Sequence, residues 1–555
     1  MLLTIFINYA VLLCIFGYTF LLNKILFPKI VNTKIENIDF LYGFLFLIFL
    51  SIFLNLFFPL KFFTVPVILL GIIFFLIAYK KKNYKINFLF YFLIIFFVTF
   101  IAFYGNDNVD SPMYHLQIIK WLTLHKISFG LVNLEIRFGF NSSWHSFVSL
   151  LNLTFGTFSA KYYISAIIFS FVVYETIRFK IKINLSDIFL YLFLCYLFLF
   201  SFLHPFYYGV ILNHLGNPER DIVTMFLYFF SFYLFIKIFE EKDYTQYKLN
   251  LINLLTICTF ICVTTRLTTL LILLLPLFVF FKNYQYKILN NLNTFFIIFV
   301  GMLWIMRSFI LSGCFLFPIE QTCFDTSWSI NIEALQFMID EVKRYSRTLP
   351  FLNGRLDYEY IYNYKWLIPW IKDYLFGTAL LQINLFIISS VIFFPLLKIF
   401  FINKESKNLF KIDLYEVIII IILFFSVLLW MITPEIRFAW GLHFVIPCFC
   451  ITIFIKYNLI KLLRKINHRA LFLNFLIIFL LFFSKSYSLF KLSDLFKIPV
   501  REHDFSQIEK VGTFNGNNVY FNYWRCADYE GICVNTRKKN YNIDKKHSYT
   551  FFKKD

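Results

Sequence analysis

A carboxylate at the end of an apolar segment is the first candidate for chemistry in this chain. Segment 88–103 is almost entirely Phe, Ile, Leu and Val, and the polar stretch after it ends at Asp110, shortly before an amphipathic run that begins at Tyr114. At a membrane–water boundary a carboxylate can act as a general base toward a hydroxyl or amine, or bind a divalent cation. A structural alternative stays open, because Ser111-Pro112 is typical of a helix start that the preceding Asp caps.

A second acidic pair precedes a later apolar run. Glu219 and Asp221 stand just before that run, with His214 a few residues upstream. Two carboxylates on the same side of a membrane suit a bridged divalent cation, Mg²⁺ or Mn²⁺, so Asp110 with Asp221 is the candidate metal pair. No other cofactor is indicated. Helix capping explains Asp221 equally well.

Three arginines border apolar segments. Arg307 lies near the end of one span, Arg437 lies just before another, and Arg266 joins two apolar runs. Outer loops carry few cations, so an arginine there is less expected than on the inner side. A fixed guanidinium at that depth is well suited to a lipid-linked phosphate through bidentate bonds. The alternatives are snorkelling of Arg307 to the interface and a simple pair between Arg437 and Glu435.

The composition places these residues in a membrane protein. Hydrophobic residues make up 60% of the 555 residues, charged residues make up 15%, and the mean hydropathy is +0.72. Soluble domains carry about 25% charged residues. The net charge of +20 comes from short basic clusters between apolar spans, which is the positive-inside pattern and argues against a nucleic-acid partner.

The apolar segments predict an all-α polytopic membrane protein with about fourteen transmembrane helices. The run from Met1 to Leu22 has no basic start and no small-residue cleavage site, so we expect a retained helix. With the basic loops placed inside, both ends of the chain lie outside, and the short apolar segment 141–155 becomes a juxtamembrane or re-entrant helix on the outer face. Four outer regions then remain for function: 105–141, 204–221, 307–374 and 433–437.

Three parts follow from this topology. Residues 1–86 form an N-terminal three-helix membrane extension, and residues 87–487 form the transmembrane core with its outer loops. Residues 488–555 form a small extramembrane domain of β or α/β type, because polar and aromatic residues alternate over 518–523.

The 10 cysteines divide by position. Most lie within apolar spans, where a cysteine is a small packing residue. Two pairs lie in polar segments that the topology places outside, in an oxidising compartment. These candidate disulfides join Cys314 with Cys323 and Cys526 with Cys533.

At these residues the chain resembles the GT-C superfamily of polytopic glycosyltransferases. Within it, the likeness is to uncharacterised bacterial membrane proteins that are distantly similar to the aminoarabinose and protein O-mannosyl transferases. That group continues its Tyr-His-Leu element with Pro, where this chain has Gln117. The motifs that carry the resemblance are Asp110 with Tyr114, Phe138 to Trp144, Arg307 with Ser312-Gly313 and Pro318, and Pro434 with Arg437-Phe438.

The resemblance implies transfer of a sugar from a polyprenyl-phosphate-linked donor to a glycan, lipid or protein acceptor. The reaction would take place at the outer, periplasmic face of the bacterial inner membrane. Asp110 would be the base or metal ligand, Glu219 or Asp221 the second acidic residue, and Arg307 and Arg437 the donor-phosphate ligands, with Arg266 a possible third contact. Further substrate contacts are expected from Asp107, Tyr114, His115, Asn141, Trp144 and His214.

Two other function classes remain open. A transporter or flippase of lipid-linked saccharides needs charged groups deep inside its spans, and here the polar clusters gather on one side. A polymerase or ligase of the O-antigen type has a long outer loop rich in arginine, which Arg344, Arg347 and Arg355 partly reproduce. The early loop with Asp110 favours the GT-C interpretation.

Overall fold

The computed structural model describes sixteen ranges of the chain. They are 1–26, 34–105, 110–155, 158–178, 184–203, 214–241, 246–283, 292–348, 362–372, 384, 413–458, 509–514, 517–521, 532–534, 543–546 and 549–552. Asp107, Arg355 and Cys526 lie outside these ranges, as do parts of the predicted outer regions 204–221 and 307–374.

The described chain is mainly helical. The first eight α-helices are α1 (Leu2–Leu26), α2 (Phe40–Phe57), α3 (Thr64–Lys80), α4 (Phe88–Phe103), α5 (Leu116–Leu124), α6 (Ser143–Leu150), α7 (Ser165–Ile177) and α8 (Leu185–Leu203). The next eight are α9 (Arg220–Glu240), α10 (Gln246–Thr265), α11 (Leu274–Asn283), α12 (Leu292–Ser312), α13 (Ile332–Thr348), α14 (Leu367–Trp370), α15 (Leu414–Trp430) and α16 (Trp440–Asn458).

Six helices among the described residues are long and apolar enough to cross a membrane. These candidate spans are Leu2–Asn23, Asn37–Phe57, Arg220–Glu240, Gln246–Thr265, Thr294–Ser312 and Ile436–Tyr457. Six shorter apolar helices accompany them: Thr64–Lys80, Phe88–Phe103, Ser165–Ile177, Leu185–Phe198, Leu267–Lys282 and Leu414–Trp430. The structure is therefore that of an all-α membrane protein.

Helix α9 lies at the centre of the bundle and shows why this sequence is helical. Its residues 222–236 are uncharged and almost all apolar, and every one of them is buried. Asp221 lies in its first turn and Lys237 in its last, which are the ends where the helix dipole favours each charge. The helix packs against α7, α8, α10 and α16.

The three N-terminal helices pack directly on the rest of the bundle. Helix α1 contacts α3 closely, and a Cβ added to Gly17 would lie 1.8 Å from the carbonyl oxygen of Gly71, so this crossing requires glycine. Helix α1 also contacts α4 and α7, and α2 contacts α6, α10 and α12. Residues 1–86 are thus an integral part of the described bundle.

Segment 141–155 contains α6, which has eight residues and is too short to cross a bilayer. All eight of its residues are buried. A two-stranded ribbon follows, in which β1 (Thr154–Phe155) pairs antiparallel with β2 (Phe158–Ser159). The segment therefore does not form a span of its own, and it ends at the exposed strand β1.

The C-terminal region contains short strands. Strand β3 (Glu509–Phe514) pairs antiparallel with β4 (Asn517–Phe521), which pairs in parallel with β5 (Ile532–Val534). Strands β6 (Ile543–Lys546) and β7 (Tyr549–Phe552) form an antiparallel hairpin. This strand content agrees with the type of fold expected from the alternating pattern at 518–523.

Candidate active site

Asp110 makes an ion pair at the start of a helical segment. A π-helical turn, Ser111–His115, follows it and continues into α5. The Asp110 side chain makes no capping hydrogen bond to this turn. Instead Oδ2 accepts a hydrogen bond from Nη1 of Arg437 at 3.0 Å, and 29% of the Asp110 side chain is exposed. The capping alternative therefore does not account for this carboxylate.

Arg437 lies between two carboxylates. Its Nε donates to Oε1 of Glu435 at 3.1 Å, and Glu435 is buried. The two residues come from the turn before α16, whereas Asp110 follows α4. Because charge-assisted hydrogen bonds are stronger than neutral ones, these two contacts hold the guanidinium beside Asp110.

A second ion pair joins the predicted residues Asp221 and Arg266. Nη1 of Arg266 donates to Oδ1 of Asp221, and both residues are buried. The guanidinium carbon of Arg266 lies 4.6 Å from the ring centroid of Phe438, the neighbour of Arg437. Asp221 lies in the first turn of α9, and Arg266 directly follows α10. The ion pair therefore joins adjacent ends of two packed helices.

One pocket is lined by residues from both ion pairs. Asp221, Arg266 and Arg437 all line it, and its empty space, open mouth included, is about 530 Å³. The remaining wall is mixed, with polar and apolar side chains from α9, α15 and α16 and from the segment after Arg266. Small-molecule sites usually have this character, with a few charged groups in an otherwise apolar wall.

Glu219 has a different environment from Asp221. Only 1% of it is exposed; Oε1 accepts a hydrogen bond from the hydroxyl of Ser111 at 3.1 Å, and Oε2 lies 2.7 Å from Nδ1 of His214. It does not line the pocket. Through its hydrogen bond with Ser111, Glu219 therefore links the segment before α9 to the turn that follows Asp110. Of the two candidates for the second acidic role, Asp221 is the one in the pocket wall.

Two buried histidines lie beside this site. Nδ1 of His115 is 2.8 Å from Nε2 of His145, and each residue is 2% exposed. Burial, the neighbouring imidazole and nearby guanidiniums hold the pKa of His115 well below its ordinary value, and burial followed by Arg220 and Arg307 does the same for the pKa of His145. The pair is therefore neutral at pH 7.

The structure places Arg307 and Asn141 together in the protein interior. Nη1 of Arg307 donates to Oδ1 of Asn141, and Nδ2 of Asn141 donates to the carbonyl oxygen of Trp304 at 2.6 Å. Arg307 is 1% exposed and does not line the pocket. Trp144 is also buried, with Nε1 donating to the carbonyl oxygen of Pro218 at 3.1 Å. These hydrogen bonds hold the chain segments around the site together.

A family model matches residues 1–446 and is described as a domain of unknown function, DUF8201. The chain belongs to this family. No curated protein and no solved structure matches it. The DUF8201 region contains Asp110, Asp221, Arg266 and Arg437 and the three N-terminal helices, whereas strands β3 to β7 lie beyond it.

Asp110 and Asp221, the carboxylates expected to bind a divalent cation, each form an ion pair with an arginine. Each ion pair uses one carboxylate oxygen, Oδ2 of Asp110 and Oδ1 of Asp221. Among the residues that the structure describes, no group of three His, Cys, Asp or Glu side chains is arranged to hold a metal ion. Asp107, the further carboxylate of this loop, lies outside the described residues.

Three of the four cysteines in the predicted disulfides are disulfide-bonded in the described residues. Cys314 and Cys323 are joined in the loop after α12, over a small apolar cluster that includes Phe317 and Leu335. Cys533 is also disulfide-bonded, and Cys526, the partner expected from sequence, lies outside the described residues.

Sequence reasoning missed three residues of this region. His145 directly follows Trp144 and pairs with His115. Arg137 lies over the ring of Tyr114, and Arg220 lies over the ring of Phe140. Arg137 and Arg220 could have been identified from the sequence, because both lie in predicted outer regions, where cations are rare.

Proposed function

We propose that this chain is a membrane glycosyltransferase of the GT-C type. It moves a sugar from a polyprenyl-phosphate-linked donor to an envelope glycan, lipid or protein acceptor. In this proposal the chain crosses the bacterial inner membrane about fourteen times, with both ends outside and the site at the periplasmic face.

The observation that carries the proposal is the convergence of Asp110, Asp221, Arg266 and Arg437. Four distant segments of the chain contribute these residues, and each residue stands at the end of an apolar helix: after α4, at the start of α9, after α10 and before α16. The sequence offered them as separate candidates; in the structure they form two ion pairs, of which Asp221, Arg266 and Arg437 line one pocket and Asp110 is bound to Arg437.

The chemistry follows from these groups. The acceptor hydroxyl attacks the anomeric carbon of the donor sugar, its proton passes to the Asp110 carboxylate, and the bond from sugar to phosphate oxygen breaks. The polyprenyl phosphate leaves with that electron pair and one more negative charge. Arg266 and Arg437 are placed to stabilise this charge as it develops, which a partly buried guanidinium does better than one in water.

The position of the charges favours a one-sided site over a conduit. In α9, the 15 residues between Asp221 and Lys237 carry no charge. At about 1.5 Å per residue these two charges lie roughly 24 Å apart along the helix. A pathway for a charged lipid headgroup needs polar groups between such points, so an enzyme fits this helix better than a flippase.

The experiment is glycan and lipid-linked-sugar profiling of cells that express the wild type or Asp110→Asn at matched protein levels. We expect Asp110→Asn to lose one glycan linkage and to accumulate a polyprenyl-phosphate sugar, because the base is gone. Asp413→Asn is the matched control, since Asp413 also forms an exposed ion pair, with Lys456, and precedes α15 at the end opposite to the pocket-lining Leu429 and Trp430.

Unchanged pools in Asp110→Asn would contradict catalysis at this residue. If the purified protein moved labelled lipid-linked sugar across the membrane of reconstituted vesicles, the result would favour a flippase over a transferase. Equal losses in Asp110→Asn and Asp413→Asn would also count against it, because the effect would then not be specific to the site.

A further inference from the structure

The arginines around the site fall into two classes. Arg266 and Arg437 each bind a carboxylate. Arg137 and Arg220 form no ion pair with any described residue. This second class therefore carries positive charge that the described part of the protein does not neutralise.

Aromatic rings hold both of these guanidiniums. The guanidinium carbon of Arg137 lies 5.6 Å from the ring centroid of Tyr114, and that of Arg220 lies 4.7 Å from the ring centroid of Phe140. The one polar contact of the Arg137 guanidinium in the described structure is to the sulfur of Met113 at 4.0 Å. A ring that covers the face of a guanidinium leaves its N–H edge free to bind an anion.

Both arginines lie next to carboxylates of the site: Arg137 contacts Met113 and Tyr114 in the turn that follows Asp110, and Arg220 precedes Asp221. Burial raises the pKa of Tyr114, and Asp110 and Asp221 raise it further, whereas Arg220 and Arg137 lower it. The Tyr114 side chain thus lies within electrostatic range of all four charged groups. Arg220 is also the sequence neighbour of Asp221 at the start of α9. Neither Arg137 nor Arg220 lines the pocket that contains Arg266.

We infer that Arg137 and Arg220 form a second anion-binding subsite, which takes a phosphate or carboxylate group of the acceptor. The identification of the ligand as an acceptor rests on the proposed function, in which Arg266 and Arg437 serve the donor phosphate. The anion binding itself does not depend on that function. The acceptor is then an anionic molecule, such as a phosphorylated lipid or an acidic glycan.

The test uses full-length protein in nanodiscs of uncharged lipid. Farnesyl phosphate, a short polyprenyl phosphate, is added first to fill the donor site, and inorganic phosphate is then titrated by calorimetry. We expect the wild type to bind phosphate under these conditions. Arg137→Gln and Arg220→Gln each weaken phosphate binding at least about tenfold, because each removes a charge-assisted hydrogen bond.

The affinity for farnesyl phosphate separates the two subsites. It stays within about twofold of wild type in Arg137→Gln and Arg220→Gln, a difference too small to reflect a lost ionic contact. Lys61→Gln is the matched control, because Lys61 is an exposed cation that also lies over an aromatic ring, that of Phe62. It should leave both affinities unchanged.

Three results would overturn the inference. One is a wild type that binds no phosphate once farnesyl phosphate is present, and another is phosphate binding that neither arginine variant weakens. The third is a selective loss of farnesyl phosphate affinity, which would assign these arginines to the donor. If phosphate binding weakens as expected but Asp110→Asn changes no glycan, the subsite stands and the proposed function fails.

Discussion

Each end of helix α9 has a cluster in which carboxylates pair with basic side chains, and the two clusters differ in how completely the protein satisfies those carboxylates. At one end, the Glu175 cluster comprises Glu175, Arg178, Lys237, Tyr233 and Asn37. The Glu175 carboxylate is fully buried, pairs with Arg178 at 2.8 Å, and accepts hydrogen bonds from Tyr233 at 2.7 Å and Asn37 at 3.3 Å. Lys237 lies 3.7 Å from the same carboxylate.

At the other end, the Asp110 cluster comprises Asp110, Glu435, Arg437, Asp221 and Arg266. Its Asp110 carboxylate remains 29% exposed, and three of its five members line a pocket. Two more arginines nearby have no described carboxylate partner. A carboxylate whose hydrogen bonds are all satisfied by the protein holds helices together, whereas one that stays partly exposed, as Asp110 does, remains available to a ligand.

The largest expected effect is on stability, at the Glu175 cluster. Glu175→Ala should lower the free energy of unfolding by about 3–5 kcal/mol, because Lys237 and Arg178 lose a buried counter-ion. Unfolding in mixed detergent and sodium dodecyl sulfate measures this change. Asp110→Ala, the comparison variant from the other cluster, should lose far less. Equal losses in the two variants would remove the contrast between the clusters.

An intermediate effect concerns the dependence of stability on pH. His115 and His145 are buried and neutral in the folded state, whereas in the unfolded chain each gains a proton as the pH falls below its ordinary pKa of 6.5. Protonation therefore favours the unfolded state. The free energy of unfolding should decrease by about 1.4 kcal/mol per pH unit for each histidine as the pH falls below 6.5.

Denaturation curves across this pH range check the prediction. His145→Gln should make the dependence shallower, and His125→Gln is the control because its side chain is exposed. A slope in His145→Gln as steep as that of the wild type would mean that the buried pair is not the source of the pH dependence.

The smallest expected effect on stability is that of Asp110→Asn. Its ion pair with Arg437 is partly exposed, with 29% and 16% of the two side chains accessible, so its loss should cost less than about 1 kcal/mol. The same unfolding assay measures it. A loss of several kcal/mol would make Asp110 a structural residue like Glu175 and would weaken its assignment as a base.

Part of the site was predictable because helix ends follow from local sequence. The apolar run before Asp110 predicted the end of a helix, and α4 ends at Phe103. The apolar run after Asp221 predicted the start of a helix in the same way, and α9 begins at Arg220. Sequence could not choose between Glu219 and Asp221, because residues two apart on a helix start differ in direction, and only packing decides which one faces the pocket.

The arginines show the same limit. Arg307, Arg266 and Arg437 all border apolar segments, and the resemblance implied Arg307 and Arg437 as the main phosphate ligands, with Arg266 as a third contact. In the structure, Arg307 is enclosed by Asn141 and the chain around Trp304, whereas the other two line the pocket. The difference arises from how neighbouring helices and loops cover each side chain, which depends on residues more than a hundred positions away.

The sequence by itself determined that this is a helical membrane protein and that its charged residues gather at the ends of apolar helices. Hydropathy is a local property, since about 20 consecutive side chains decide whether a segment can span a membrane. Only the tertiary structure decided that Asp110 meets Arg437, 327 residues later, and that Arg137 and Arg220 lack such a partner among the described residues. Helix packing sets these pairings, because an ion pair requires two charged atoms within about 4 Å whatever their separation in the chain.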